Sequence, residues 1–242
     1  MRNYNVYING MQKANSEKLF FVDKVNLDDY NTIIDFGCGA GDVLHSLSLL
    51  CKCKLIGIDH DKYMRDITKS KTPNCETYDS LKREMLNEKT LIIFNSVLHE
   101  VESYWSVLQT ILANTGATVV IRDMRFTLNP NETDGPLKNI IAKIVQKSNP
   151  NLLSDFINKY GMFYSNQVYH YLLKYTYVDN WELELQENYF SFNYDKLFNL
   201  GKIIYENNYT LEYKKQAIKK DFDIDIHNFT HTQIILRLNK GE

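Results

Sequence analysis

The residues best able to do chemistry recur at the ends of short apolar runs in the first half of the chain. Asp35-Phe36-Gly37-Cys38-Gly39-Ala40-Gly41-Asp42 joins the β-branched pair Ile33-Ile34 to Val43, Leu44 and Leu47, which are spaced as on a helix. That order predicts a buried strand, a tight turn and a helix starting directly under it. Glycine reaches backbone torsions that other residues avoid and lets a ligand approach the main chain. The first amides of the helix can receive a ligand's polar groups. A nucleotide-like ligand is the chemistry this stretch suits. Polar groups close the next runs as well: Asp59-His60, Asp79-Ser80, Asn95-Ser96 and Arg122-Asp123. A carboxylate can accept two hydrogen bonds from a vicinal diol, which suits Asp59 to a ribose. His99 and Glu100 follow Asn95-Ser96, and a histidine titrating near neutrality is a candidate general base. The other reading of His99 is a helix cap or an ordered loop. Arg122 and Asp123 either bind a charged acceptor or pair with each other or with neighbours.

These groups need elements to hold them. Strands are expected at 33–36, 54–59, 75–78, 90–94 and 117–121, with helices at 42–50, 63–69, 81–87 and 103–112 between them. Such alternation predicts βαβ units and a parallel sheet, whose ligands bind beyond the carboxyl ends of the strands. A leading helix over 16–25, with Ser16 as a cap, either packs on the sheet or lies over the pocket. Past residue 126 the pattern changes. Asp134-Gly135-Pro136 and Asn149-Pro150 start helices, a third covers 165–175, and each carries an apolar stripe facing a core. A helix over 194–204, a strand over 205–213, a short basic helix over 214–220 and a strong last strand over 232–238 complete the chain.

The glycine spacing selects among nucleotide folds. A nicotinamide-binding turn needs Gly-x-Gly-x-x-Gly, and here its third position is Asp42. The acid-x-Gly-x-Gly-x-Gly order instead resembles the class I S-adenosylmethionine-dependent methyltransferases. The likeness runs well over 30–123 and loosely over 193–240, and leaves out 126–190. It implies a three-layer, doubly wound α/β fold, with a mostly parallel seven-stranded sheet, an antiparallel last strand and an inserted helical cap. It implies one domain: a lead over 1–30, a cofactor core over 31–123, a cap over 126–190 and a completing segment over 191–242. It implies S-adenosyl-L-methionine as cofactor, held by Asp35, Gly37, Cys38, Gly39, Gly41, Asp59, His60, Asp79, Ser80, Asn95 and Ser96. His99 is then the catalytic candidate, and Glu100, Arg122 and Asp123 the substrate-binding ones. Family members that methylate exocyclic base amines carry Asp/Asn-Pro-Pro-aromatic after strand four, whereas Asn95-Ser96-Val97 has no proline. Those acting on pyrimidine carbon use Pro-Cys, which this chain lacks.

Composition adds limits. The 242 residues are 44% hydrophobic and 24% charged, values that allow a full core. A net charge of −2 gives no global attraction to nucleic acid. No run of about 18 apolar residues is present, so no membrane partner is expected. No apolar stretch follows the first residues as in a secretory signal, and four cysteines in this length make no disulfide framework, so a reducing cytoplasm is the expected location. Cys51-Lys52-Cys53 lacks a second ligand pair, so no metal is expected. Sequons at Asn131, Asn208 and Asn228 then carry no glycan. Eleven of the 17 tyrosines lie between Tyr160 and Tyr213. They either line a cleft for a small acceptor, stack on RNA bases, or fill the interior. A small-molecule acceptor methylated on O or N is the leading expectation, with RNA, touched by Lys214-Lys215 and Lys219-Lys220, as the alternative. A scaffold subunit that holds the cofactor without turnover is the third. His170 and His231 are expected to be structural.

Overall fold

The computed structural model describes residues 15–127, 134–161 and 163–241. The sequon at Asn131 and the side chain of Ser16 lie outside them. In chain order the elements are α1 (Asn15–Lys18), β1 (Thr32–Phe36), α2 (Asp42–Ser48), β2 (Lys54–Ile58), α3 (Lys62–Lys71), β3 (Glu76–Tyr78), β4 (Thr90–Asn95), α4 (Trp105–Leu112) and β5 (Thr118–Thr127). Then come α5 (Asp134–Lys147), α6 (Pro150–Tyr160), α7 (Ser165–Tyr175), α8 (Trp181–Glu184), α9 (Asp195–Phe198), β6 (Gly201–Tyr209), α10 (Glu212–Phe222) and β7 (Phe229–Leu238). The seven strands form one sheet in the order β3-β2-β1-β4-β5-β7-β6. The first five are parallel. β7 runs against β5, since Thr115 pairs with Lys240 while the Leu238 amide donates to the Ala117 carbonyl. This is the mostly parallel sheet with a reversed last strand that the sequence predicted.

The chain divides into two compact units, one of residues 1–123, 193–207 and 233–242, the other of 124–192 and 208–232. In the first, central β1 is hydrogen-bonded on both sides, which explains its β-branched run. Ile33, Leu55, Leu91, Leu44, Leu47 and Phe21 meet in its core, and each fully buried aliphatic or aromatic side chain contributes about 1.5–3 kcal/mol. In the second, Phe156, Tyr169, Tyr171, Leu172, Trp181, Tyr189 and Phe222 form a separate core. The rings of Tyr169, Tyr171 and Tyr189 are enclosed in it, so these tyrosines fill an interior and do not line a cleft.

Four expectations about elements need correction. The leading helix is a single turn, α1, followed by turns that bury Phe21. Residues 81–87 form only a 3-10 turn at Arg83–Met85. β5 does not stop at Ile121 but carries Arg122 and Asp123 inside it, because both charges have polar partners and the ladder can continue past them. The helix over 194–204 shrinks to α9, and β6 begins at Gly201. A Cβ at Gly201 would stand 2.2 Å from the Arg237 carbonyl oxygen, so a close strand neighbour requires glycine there. β6 then alternates half-buried and exposed positions, the period of an edge strand.

Candidate functional site

The glycine turn follows β1. Gly37, Gly39 and Gly41 all have positive φ, at 74°, 50° and 74°. Two are also fixed by space. A Cβ on Gly37 would lie 2.7 Å from the Val97 side chain, and one on Gly41 2.8 Å from Thr68. Gly41 caps α2 with backbone alone. Thr68 on α3 closes the turn from behind, its hydroxyl donating to the Gly39 carbonyl at 2.8 Å. Cys38 stands differently from the expectation. Its amide donates to the Ile58 carbonyl and its thiol points into the core beside Thr68, so neither faces a ligand. Burial also pushes that thiol far above its ordinary pKa.

Asp59 ends β2 and holds the turn from the side. One carboxylate oxygen accepts from the Gly39 amide and the other from the Asp61 amide, each at 2.9 Å. Each oxygen keeps a further lone pair, so the carboxylate can still receive a diol. His60 is a correction, since its ring lies in solvent, 88% exposed, and encloses nothing. Asp79 and Ser80 are exposed at the end of β3 and hydrogen-bond each other at 2.9 Å. They form a rim and not a wall.

Two groups at the ends of β1 and β4 lack what burial demands. Asp35 is 2% exposed, and its Oδ1 has no hydrogen-bond partner. Burial raises its carboxyl to about 7, with Lys18 opposing the rise and Asp59 and Asp42 adding to it. Both polar atoms of the Asn95 side chain are enclosed without a partner. Orphaned buried polar atoms are rare in folded proteins and mark a place for another group. By contrast, Asp42 on α2 is paired with Lys71 at 2.7 Å.

Past β4 the chain turns sharply. Ser96 has φ 55°, a strained value for a residue with a Cβ. Its amide donates to the Arg122 carbonyl at 2.7 Å, and Arg122 donates back to its hydroxyl at 2.8 Å. This turn aims the amides of Val97 and Leu98 at one oxygen of Asp123, at 3.0 and 2.6 Å. The other oxygen of Asp123 lies 2.6 Å from His99 Nδ1. Asp123 therefore does not meet an acceptor directly, as a substrate-binding residue would. It is fully buried and fixes the ring of His99. Arg122 is also buried, bridging Ser96 to Glu17 at 3.1 Å. Glu100 is exposed, with an oxygen 3.8 Å from His99 Nε2. Sequence reasoning missed Thr68, Glu17 and Lys18. Thr68 carries no local signal, and the other two are legible only as helix positions.

The basic cluster expected near the C-terminus is not one surface. Lys214 is buried under Tyr177, and Lys219 is paired with Asp223 and Asp225. Among the described residues no helix is long and apolar enough to cross a membrane.

No protein-family model and no curated protein matches the chain by sequence. Solved structures do match it by shape. The MccD protein is 10% identical with a TM-score of 0.53, covering 96% of this chain and 98% of that one. A methyltransferase from Anabaena variabilis, named as dependent on S-adenosylmethionine, is 13% identical with a TM-score of 0.48, covering 99% and 96%. The plantazolicin methyltransferase BamL, solved with S-adenosylhomocysteine, is 11% identical with a TM-score of 0.49, covering 98% and 88%. At such identities the likeness is one of fold. The match to the MccD protein agrees with the seven-stranded α/β sheet described above.

Proposed function

We propose that the chain is an S-adenosylmethionine-dependent methyltransferase that methylates an oxygen or nitrogen of a small-molecule acceptor. The observation that carries this reading is unmet polar demand at the ends of β1 and β4, together with a fixed histidine–carboxylate pair just past β4. Asp35 and Asn95 supply the unmet demand, and His99 with Asp123 the pair. The donor's chemistry fits these residues. Asp35 suits its ammonium, Asp59 its ribose diol, the glycine turn its sulfur and nucleoside portions, and the Asp79-Ser80 rim its base. When bound, the donor supplies a methyl group already activated by a sulfonium.

The chain then orients an acceptor and takes up its proton. With Nδ1–H donated to Asp123, His99 presents Nε2 as the basic nitrogen. Asp123 cannot turn, because two backbone amides hold its other oxygen. It keeps the ring in one tautomer and stabilises the imidazolium once the acceptor's proton arrives. Such a pair suits an acceptor that must lose a proton, a hydroxyl or an ammonium. Neither Asp/Asn-Pro-Pro nor Pro-Cys chemistry is present, which argues against a nucleobase.

Calorimetry with S-adenosylhomocysteine tests the donor. We expect binding, weakened about 100-fold by Asp59→Ala through loss of charge-assisted hydrogen bonds. Methyl transfer from labelled donor to pooled phenols, catechols and amines tests the acceptor. With the responsive acceptor, His99→Ala and Asp123→Asn are expected to lower kcat by about 100-fold or more, with donor affinity unchanged. Donor binding with no transfer to any pool would make the chain a cofactor-holding subunit.

A further inference from the structure

We infer that the outer edge of β6 is an interface for a second copy of this chain, joined strand to strand about a two-fold axis at Ile204. The residues concerned, 201–207, all belong to the first compact unit. β6 ends the sheet, and β7 holds its inner edge along this stretch. Gly201 lies beside the Arg237 carbonyl at one end, and at the other the Asn207 side chain donates to Gln233 at 3.1 Å. Among the described residues no strand pairs with the other edge. An open edge presents backbone groups that template another strand, and native sheets blunt it by shortness, proline or charge. β3, the opposite edge, is three residues long. β6 has nine and no proline, and Ile204 is 56% exposed on it.

This edge is complementary to itself. Lys202, Ile204 and Glu206 are exposed and alternate along one face, while Ile203 and Tyr205 are half-buried on the other. An antiparallel two-fold pairing centred on Ile204 sets that isoleucine against its own copy. It also sets Lys202 against Glu206 of the second chain, twice over. On the other face Ile203 meets Tyr205. Opposite charges and aromatic–β-branched pairs are favourable cross-strand neighbours. Of these five residues, only Ile204 on the axis gives this match. With Lys202 or Glu206 there, like charges meet. With Ile203 or Tyr205 there, the exposed isoleucine faces a charge. Lys202 thus blunts the edge toward other strands, and one self-pairing register neutralises it. The strand is already extended and fixed, by β7 and by the Tyr205 ring stacked on Phe20, so little ordering cost opposes the pairing.

The test is sedimentation velocity of the full chain from micromolar to near-millimolar concentration. We expect a reversible monomer–dimer equilibrium. Lys202→Glu and Glu206→Lys, each alone, should weaken the dimer about 10- to 100-fold, since each turns two attractive pairs repulsive. An equimolar mixture of the two variants should recover dimer, because position 202 of either chain then faces the opposite charge at position 206 of the other. Lys202→Glu combined with Glu206→Lys in one chain should recover it for the same reason. Ile204→Lys should abolish association by setting two cations on the axis. A wild type that stays monomeric throughout would overturn the inference. So would a dimer that the single reversals leave intact, or one that neither the mixture nor the double variant recovers. Matching far-ultraviolet circular dichroism separates dissociation from misfolding. Should a single reversal fail to fold, the double variant and Ile204→Lys still decide.

Discussion

Two buried charged regions, one in each compact unit, treat their charges in opposite ways. In the second unit Lys174 on α7 is completely enclosed. Its ammonium donates to the Glu184 carbonyl, lies 4.0 Å from the Glu184 carboxylate and stands 4.0 Å from the centre of the Tyr189 ring. Tyr189 in turn donates to Glu184. Burial lowers Lys174 to about 8 and raises Glu184, yet protein groups answer both. At the ends of β1 and β4 the enclosure is as deep, but Asp35 and Asn95 keep atoms with no partner. A closed network serves the fold, whereas an open one is shaped for something that arrives. Burial and shifted pKa values alone do not separate the two. The partners of these particular charged and amide groups do.

That contrast is most open to attack in the second unit. Lys174→Ala removes the cation from a buried carboxylate and empties space under two rings. Urea unfolding should show a loss of about 3–5 kcal/mol. A loss under about 1 kcal/mol would mean that this network is not what holds the unit together.

Asp35→Asn should act with the opposite sign. The carboxyl ionises at its ordinary 3.8 in the unfolded chain and at about 7 in the folded one. Ionisation therefore opposes folding, by an amount that grows between those two pH values and is constant above 7. The variant should be more stable than wild type by about 1–3 kcal/mol at pH 8 and equal to it at pH 3, in thermal melts across that range. Its affinity for S-adenosylhomocysteine should fall at the same time. In the wild type that affinity should rise with pH up to about 7, because the ligand's ammonium selects the ionised carboxylate. A variant less stable than wild type at pH 8 would place Asp35 with the structural charges.

The smallest effect belongs to exposed charge. Lys219 pairs with Asp223 and Asp225 in solvent. Lys219→Glu with Lys220→Glu should change stability by no more than about 1 kcal/mol and leave donor affinity untouched. Binding of a single-stranded RNA that this double variant abolishes would revive the RNA reading.

Much of this molecule was legible in order along the chain. β-branched runs, glycines and terminal acids depend on neighbours a few residues apart, and they gave the five parallel strands, the turn and Asp59. Gly37 and Gly41 were needed for torsions that local sequence declares, although the side chains that fill the space behind them, Val97 and Thr68, were not visible. Cys38 and His60 sat in the right stretch but face the wrong way, because side-chain direction in a turn is set by what packs behind it. Arg122 and Asp123 looked like a strand end because their charges were read without their partners. The pairing that buries them joins residues 24 to 105 positions apart.

The sequence by itself determined the fold class, since that follows from short-range pattern: hydrophobic period, glycine spacing and polar residues at the strand ends. Only the tertiary structure decided which polar groups are answered and which wait. It turned Asp123 from an acceptor contact into the support of His99. It buried Lys18, from a segment with no motif. Those outcomes depend on desolvation and on partners distant in sequence, and no local pattern encodes them.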